Sequence, residues 1–279
     1  MTLQRRVIRT IAALTLGLVV LVGTLTSVVM LRGFRAVESS IARENAERAA
    51  HAVEARVESL SNKLLPWSNW DDSYRFIQDL NAEYAQSNLQ YESLEYLGLS
   101  AIIFLDSTGR LRHGAEMDPR TRTVGPLASD LTELLQQSAE EGSPVFRALA
   151  EDESVAGLYV RQGRPYLLAA RPILTSHGKG PTPGSIVFVR PLDPPMIQQL
   201  AEQVNLRLAT WVIQGQAPAD AEARAALEQI RAAELTGAEG PVRIIDGESV
   251  GAYSLVPGLI ETTGMLVRAD SHRWVSAQA

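Results

Sequence analysis

An uncharged, apolar run from Thr10 to Leu31 constrains this chain more than any other feature of its sequence. At about 1.5 Å per residue, a helix of this length crosses a hydrocarbon core about 30 Å thick. A cleaved signal peptide is the alternative, but its apolar region is only about 7–15 residues long and ends in a small-x-small cleavage site. No Ala-x-Ala site follows Leu25. The sequence therefore predicts an uncleaved transmembrane helix over residues 10–31.

The arginines that flank this run predict its orientation. Three arginines precede it within the first nine residues, whereas Arg32 and Arg35 follow it with Glu38 close behind. Positive charge on a short N-terminal segment favours a cytoplasmic N-terminus. We therefore expect residues 1–9 to be cytoplasmic, residues 32–279 to be periplasmic, and the chain to be anchored in the inner membrane.

The rest of the chain is acidic. The sequence contains 26 basic and 32 acidic residues, and the first 35 residues hold five arginines and no acid, which leaves a net charge of −11 for residues 36–279. Such a body has no basic patch for nucleic acid. The absence of cysteine excludes disulfides and thiolate chemistry. The four histidines are far apart and lack metal-ligand spacing, so we expect no metal and no cofactor.

Residues 36–65 predict one long connecting helix, because no Gly or Pro interrupts them. Pro66 then ends or kinks it. Apolar residues recur at spacings compatible with one stripe, which includes Ile41, Val53, Val57, Leu60 and Leu64. A helix of this length could be a lone strut or half of a parallel pair. We expect a homodimer through residues 36–65.

Beyond Gly98 the pattern changes to short strands separated by turn sequences. Leu99–Asp106 and Arg110–Gly114 predict one hairpin, and Val155–Arg161 and Arg164–Leu174 predict another. Helices are predicted over Trp67–Leu80, from a cap at Asn81 through Leu97, over Leu127–Ala139, from the Asp193 N-cap and Pro194 onward, and over Asp220–Leu235. Strands are predicted over Ser185–Leu192, Leu206–Ile213, Val242–Ile245, Gly251–Val256 and Met265–Ala269. Several strands are apolar on both faces and must be covered on both sides. The sequence predicts an α+β fold with a mostly antiparallel sheet.

A cluster of aromatic and acidic residues follows the long helix, in WSNWDDSY (67–74). Rings beside carboxylates can form a pocket for a small polar or cationic molecule. Trp67, Trp70 and Tyr74 share one helical face, which is equally typical of core packing. Asp71 and Asp72 point about 100° apart, so they cannot both face one site. We expect one to be solvated or to cap a backbone amide and the other to be available to a ligand amine.

Two arginines, Arg171 and Arg190, lie within apolar strand runs, where an unpaired charge is costly. Pairing with Asp71 or Asp72 is the slightly favoured interpretation. Binding of a ligand carboxylate is the alternative, because a planar guanidinium suits it. The candidate ligand-binding residues are therefore Trp67, Trp70, Asp71, Asp72, Tyr74, Arg171 and Arg190.

Four stretches of the sequence, in order, resemble the CHASE extracellular sensory domains of the fourth class, which are relatives of the Cache sensors. They are WSNWDDSYRFIQDLNAEYAQSNLQ (67–90), LGLSAIIFLDSTGRL (97–111), GRPYLLAARPILTSHGKGPTPGSIVFVRPLD (163–193) and, more loosely, MIQQLAEQVNLRL (196–208). The resemblance implies a Cache/PAS-like sensory domain over residues 66–275. It also implies a receptor layout with a second span and a cytoplasmic output, most often a cyclic-di-GMP cyclase or phosphodiesterase and otherwise a histidine kinase.

These expectations combine into a ligand-sensing domain of a bacterial transmembrane receptor, without enzymatic activity of its own and without the output domain. The expected partners are the membrane, an unknown small-molecule ligand and a second copy of the chain. The alternative is an envelope protein-interaction or structural domain with no small ligand, which a filled core and an exposed apolar patch would favour. A hydrolase is disfavoured because the sequence shows no catalytic triad or metal cluster.

Overall fold

The computed structural model describes residues 3–128, 153–246 and 248–273, and it begins with one continuous helix, α1 (Leu3–Ser68). In the described part of the chain, α1 is the one helix long and apolar enough to cross a membrane. Pro66 lies inside its last turn, and the helix ends only at Ser68. The predicted stop was therefore three residues early.

The predicted apolar stripe of α1 divides between two environments. Val53, Leu60 and Leu64 are at most 2% exposed, whereas Val37 is 58% and Ile41 41% exposed. The buried side of the membrane-proximal half is made of alanines, at positions 42, 46, 49 and 50. Small side chains let α1 approach the strands beneath it closely, while its larger apolar residues near the apolar segment remain uncovered.

Three short helices follow: α2 (Asp71–Asp79), α3 (Ala82–Asn88) and α4 (Tyr91–Leu97). The predicted single helix over Trp67–Leu80 is wrong, because Trp70 is extended (φ −140°, ψ 128°) and Asn69 pairs with Leu174 as an isolated bridge. Trp67 therefore lies in the last turn of α1 and does not share a helical face with Trp70. Asn81 caps α3 as predicted: the backbone N–H of Tyr84 donates to its side-chain oxygen at 2.9 Å.

The first sheet has six strands in the order β3-β2-β1-β6-β5-β4, and every pairing is antiparallel. Its strands are β1 (Ala101–Asp106), β2 (Leu111–Asp118), β3 (Thr123–Gly125), β4 (Val155–Arg161), β5 (Arg164–Pro172) and β6 (Gly184–Pro191). Both predicted hairpins are confirmed. In the first, Asp106 Oδ1 accepts from the backbone N–H groups of Thr108 and Arg110 at 2.8 and 3.0 Å, so this aspartate is a turn residue.

The second sheet has four antiparallel strands in the order β7-β10-β9-β8, with α5 and α6 beside it. Its elements are α5 (Pro194–Val204), β7 (Arg207–Gln214), α6 (Ala221–Thr236), β8 (Val242–Ile244), β9 (Ser249–Pro257) and β10 (Thr263–His272). Asp193 caps α5 as its sequence predicted, because its carboxylate accepts from Met196 N at 3.0 Å. Asp220 caps α6 in the same way, through Ala223 N at 2.7 Å.

The core lies along α1, which packs against both sheets. One face of the first sheet, with Phe104 and Phe188, belongs to this core, and the other face, with Ile103 and Val187, forms a separate apolar cluster. Strand β1 is therefore buried on both sides, as predicted. The predicted α+β fold with a long N-terminal helix is confirmed, with two antiparallel sheets. The predicted helix over Leu127–Ala139 lies outside the described residues beyond position 128.

The β9–β10 hairpin tip joins the two sheets. Leu259 N donates to Leu158 O of β4 at 2.7 Å. The Leu259 side chain fills the space above Gly157, where a Cβ would lie 2.6 Å from Leu259 Cδ2. A larger residue at position 157 would require the Leu259 side chain to move from this position.

Candidate ligand-binding site

The start of α2 is tied to the Gly/Pro-rich loop between β5 and β6. Ser176 N donates to Asp71 Oδ1 at 2.9 Å, and Asp71 N donates to Ser176 Oγ at 3.1 Å. The Tyr74 hydroxyl donates to Pro181 O at 3.0 Å. The hydrogen bonds from Ser176 hold the pKa of the Asp71 carboxyl below its usual value. Asp71 is thus the carboxylate that accepts from a backbone amide, that of Ser176, and Tyr74 binds the same β5–β6 loop through Pro181.

The two tryptophans belong to a cluster of aromatic side chains between α1, α2, α3 and the first sheet. Trp67 packs edge-on against Phe188, with centroids 5.8 Å apart, and against Trp70 at 6.1 Å. Trp70 continues to Tyr84 at 5.6 Å, and Tyr84 stacks on Phe76 at 4.4 Å. Aromatic pairs at such separations stabilise beyond their buried area. Trp67 is mainly a packing residue, whereas Trp70 lies at the edge of the cluster.

Beyond Trp70 the chain leaves an open cavity of about 260 Å³, here called the Trp70 cavity. It is lined by Trp70, Asp72, Arg75, Asn81, Glu83, Tyr84, Ser87 and Asn88. Its volume lies slightly below the range of about 300–1,000 Å³ that is typical of ligand sites, which suits a molecule no larger than an amino acid or a simple amine.

The lining of the Trp70 cavity is mildly acidic. Asp72 and Glu83 contribute two carboxylates, and Arg75 contributes one cation, which lies 3.5 Å from Asp72 Oδ1. Trp70 and Tyr84 add ring faces that attract a cation. The Tyr84 hydroxyl hydrogen-bonds Ser73 Oγ at 2.8 Å, and burial raises the pKa of this phenol well above its usual value, so it stays protonated. The cavity therefore offers a positively charged group both carboxylates and aromatic faces.

The two strand arginines lie elsewhere. Neither Arg171 nor Arg190 forms an ion pair with Asp71 or Asp72, whose partners are Ser176 and Arg75. Arg190 lines a different cavity of about 500 Å³, which shares no lining residue with the Trp70 cavity. Arg171 is half-buried on β5 opposite Ile186. The expected pairing was wrong. Arg190 lies near the end of β6, six residues beyond Gly184 and the loop that binds Asp71.

Sequence reasoning missed several residues of the Trp70 cavity, namely Arg75, Glu83, Tyr84, Ser87 and Asn88. One signal was available for Tyr84: the Asn81 cap places it in the first turn of α3, directly after the turn from α2. The other four are polar residues on short helices and have no distinguishing pattern. Among the described residues, no group of His, Asp and Glu could hold a metal ion.

Residues 52–210 match the CHASE4 domain family, and this range covers more than half of the chain. The chain belongs to the CHASE4 domain family. CHASE4 domains are extracellular sensor domains, so the predicted sensory role is confirmed. The match begins within α1 and ends within β7, so the Trp70 cavity lies inside the CHASE4 region. The one candidate membrane helix near its N-terminus fits a membrane-anchored sensor.

One curated relative of this CHASE4 chain is the methanogenesis regulatory histidine kinase FilI of Methanothrix harundinacea, which is 23% identical over 211 residues. The aligned region covers 75% of this chain but only 23% of that protein. Among solved structures, a domain of a sensory box/GGDEF family protein from Vibrio parahaemolyticus aligns over 82% of this chain and 97% of its own, with 12% identity and a TM-score of 0.47. The periplasmic domain of Vibrio cholerae LuxQ aligns over 83% and 100%, with 10% identity and a TM-score of 0.46.

Proposed function

We propose that this CHASE4 chain is the input of a membrane receptor and that it detects a small ligand with a positively charged amino group in the Trp70 cavity. The observation that carries the proposal is the lining of this cavity. Trp70 and Tyr84 supply two ring faces, and Asp72 and Glu83 supply two carboxylates against the single cation of Arg75. Aromatic rings and carboxylates both attract an ammonium group, and together they are a common way to recognise one.

The proposed arrangement in the cell follows from the charge bias around the apolar segment. Residues 1–9 would be cytoplasmic, and residues 10–31 would cross the inner membrane. Residues 36–65 would connect the membrane span to the sensory domain, which residues 66–275 would form outside the cytoplasm. Reporter fusions after residue 120 test this topology. Activity of a periplasmic reporter there is expected, and activity of a cytoplasmic reporter would contradict the proposal.

Helix α1 supports a direct route for the signal. Trp67, at its end, touches Trp70, and the same helix continues without a break to the apolar segment. From Leu31 to Trp67 it spans about 54 Å at roughly 1.5 Å per residue. The ligand would shift α1 between two positions, which requires different affinity for the two states. The complete receptor would carry a histidine kinase, as FilI does by name, or a cyclic-di-GMP cyclase or phosphodiesterase.

A homodimer through residues 36–65 completes the proposal. Its support is the uncovered apolar surface of α1, where Phe34, Val37 and Ile41 are 54%, 58% and 41% exposed. In a membrane two copies lie parallel, which brings equivalent residues together across a two-fold axis.

Ligand binding is tested with the full chain in detergent, with choline and its uncharged carbon isostere 3,3-dimethylbutanol as probes. We expect choline to raise the melting temperature and the isostere to leave it unchanged. Asp72→Asn should remove the response, whereas the matched control Asp71→Asn should keep it, because Asp71 lies outside the cavity and binds Ser176. Equal responses to the two probes, or an equal loss in both variants, would contradict an ammonium site at Asp72.

A further inference from the structure

Arg190 makes no direct ion pair with any described residue. Its side chain is half-buried, and among the described residues it makes no ion pair and no hydrogen bond. The guanidinium packs against the backbone of Gly98, where a Cβ would lie 3.1 Å from Arg190 Cζ. Gly98 itself is in the left-handed region at φ +71° and ends α4. A partly buried guanidinium that makes no ion pair, at the wall of a cavity, keeps its N–H donors available to an anionic ligand.

Two further cations lie close to Arg190, both on α1. Lys63 Nζ donates to Leu97 O, at the end of α4, at 3.1 Å. Arg56 donates from Nη2 to Gln203 Oε1 at 2.7 Å, but its Nε is buried with no hydrogen-bond partner among the described residues. Burial first, and then the charges of Arg190 and Arg56, lower the pKa of Lys63. Burial and Arg56 likewise lower the pKa of Arg190. The three cations repel one another in a partly desolvated setting.

Two carboxylates, Glu95 and Asp193, line the same cavity as Arg190. The negative charge of Asp193 stabilises the Arg190 guanidinium and partly offsets the lowering of its pKa. One oxygen of Asp193 also caps α5 by accepting a hydrogen bond from Met196 N. Glu95 accepts from the Tyr91 hydroxyl at 2.9 Å and lies 3.5 Å from Arg122 Nη2. Four cations, Arg56, Lys63, Arg122 and Arg190, therefore act on this region against two carboxylates, Asp193 and Glu95.

The space beside Arg190 is large enough for a ligand. The Arg190 cavity, of about 500 Å³, is lined by Tyr91, Glu95, Gly98, Leu99, Ser100, Met117, Pro119, Arg190, Pro191, Asp193, Pro195, Met196 and Gln199. Leu99, Met117 and Met196 make much of this lining apolar. A ligand here would place a charged group on Arg190 and an apolar body against the leucine and methionines.

We infer that the Arg190 cavity is a second ligand site, which binds a small organic oxyanion, a carboxylate or a phosphate ester. Arg190 is its main donor, since a planar guanidinium binds both oxygens of such a group at once. Lys63 strengthens the binding through its charge. The site is independent of the Trp70 cavity, with which it shares no residue. Because Arg190 lies on β6 and Lys63 on α1, a bound anion joins the first sheet to the helix that leads to the apolar segment.

The test is a calorimetric and melting titration of the full chain in detergent with benzoate, its uncharged analogue benzamide and inorganic phosphate, at constant ionic strength with sodium chloride. Benzoate should bind and raise the melting temperature, and benzamide should not. Arg190→Gln should weaken benzoate binding at least tenfold. Arg110→Gln, which removes an exposed arginine at the β1–β2 turn, should leave it unchanged. Without ligand, Arg190→Gln should melt at or above the wild-type temperature, because it removes like-charge repulsion.

Each outcome decides the inference. Stronger binding of benzoate than of phosphate supports an organic acid, and stronger binding of phosphate supports a phosphate ester. Lys63→Gln provides a second variant, with several-fold weaker binding expected, should Arg190→Gln melt far below the wild type. Equal binding of benzoate and benzamide, unchanged binding in both variants, or no binding of either anion would overturn the site. The choline response of the Trp70 cavity should be the same in all of these variants, which separates failure of this site from failure of the first.

Discussion

Asp71 and Ser176 bind each other through two hydrogen bonds, each from a backbone N–H to the other residue's side-chain oxygen. The pair joins residues 105 positions apart and fixes the first residue of α2 against the β5–β6 loop. It needs an ionised carboxylate for its full strength, because a charged acceptor binds an N–H more strongly than a neutral one.

Low pH should weaken the interaction between Asp71 and Ser176. The pKa of Asp71 is lowered in the folded chain, so its contribution is fully present above the ordinary carboxyl pKa of about 3.9 and is lost as pH falls through the lower folded value. Between about pH 5 and pH 3, the melting temperature of the wild type should therefore fall more steeply than that of Asp71→Ala. Asp72→Asn is the control and should keep the wild-type slope. Parallel curves for the wild type and Asp71→Ala would rule out this contribution.

The aromatic cluster predicts that replacing two of its side chains by alanine lowers the free energy of unfolding by different amounts. Phe76 is 1% exposed, so Phe76→Ala should lower the free energy of unfolding by about 3–5 kcal/mol. Trp70→Ala should cost about 1–3 kcal/mol, because part of its ring already faces the cavity. Urea unfolding of the full chain in detergent, followed by circular dichroism, measures both values. A larger loss for Trp70 than for Phe76 would show that Trp70 is a core residue and not a cavity wall.

Replacing Gly98 by alanine measures how closely the Arg190 side chain packs against this position. Gly98 and Gly163 both have φ +71°, but only a Cβ at Gly98 would meet another side chain, at 3.1 Å. Gly163→Ala should cost about 1–2 kcal/mol from the left-handed backbone alone. Gly98→Ala should cost more, and the excess should vanish in an Arg190→Ala background. An excess that persists without Arg190 would mean that the glycine is required for another reason.

The exposed stripe of α1 predicts crosslinking between copies. The chain has no native cysteine, so any disulfide that forms in a single-cysteine variant must involve the introduced residue. Ile41→Cys should form a disulfide dimer in membranes under mild oxidation. Glu47→Cys, six residues further on and about 120° around the helix, should crosslink weakly. Equal crosslinking at both positions, or none at either, would indicate that α1 does not pair through this stripe.

Local sequence signals predicted much of the fold correctly. The cap at Asn81, the cap at Asp193 and the turn at Asp106 each depend on hydrogen bonds within three or four residues, so the sequence contains all that decides them. The same holds for the two hairpins, because in each of them the turn residues lie directly between the two strands in the sequence.

Distant contacts decided the features that sequence reasoning missed. The end of α1 is set by Leu174, which pairs with Asn69 more than 100 residues away. The separation of Arg190 from the Trp70 cavity depends on the strand order of the first sheet, which no local pattern shows. The acidic lining of the Trp70 cavity likewise arises because α2 and α3 meet at an angle that the sequence does not predict.

Strand β10 connects the hairpin tip on the first sheet to α1. One end follows the hairpin tip that holds Leu259 on Gly157, and the other carries Ser271, whose hydroxyl accepts from Asn45 Nδ2 of α1 at 2.7 Å. Its 10 residues form an arm of about 33 Å at roughly 3.3 Å per residue. A tilt of about 5° at the tip displaces the far end by roughly 3 Å. Such a displacement would exceed the helix shifts of about 1–2 Å by which many interfaces switch, so a small rotation of the first sheet, carried by β10 with its partner strands, would be large enough to move α1 at Asn45.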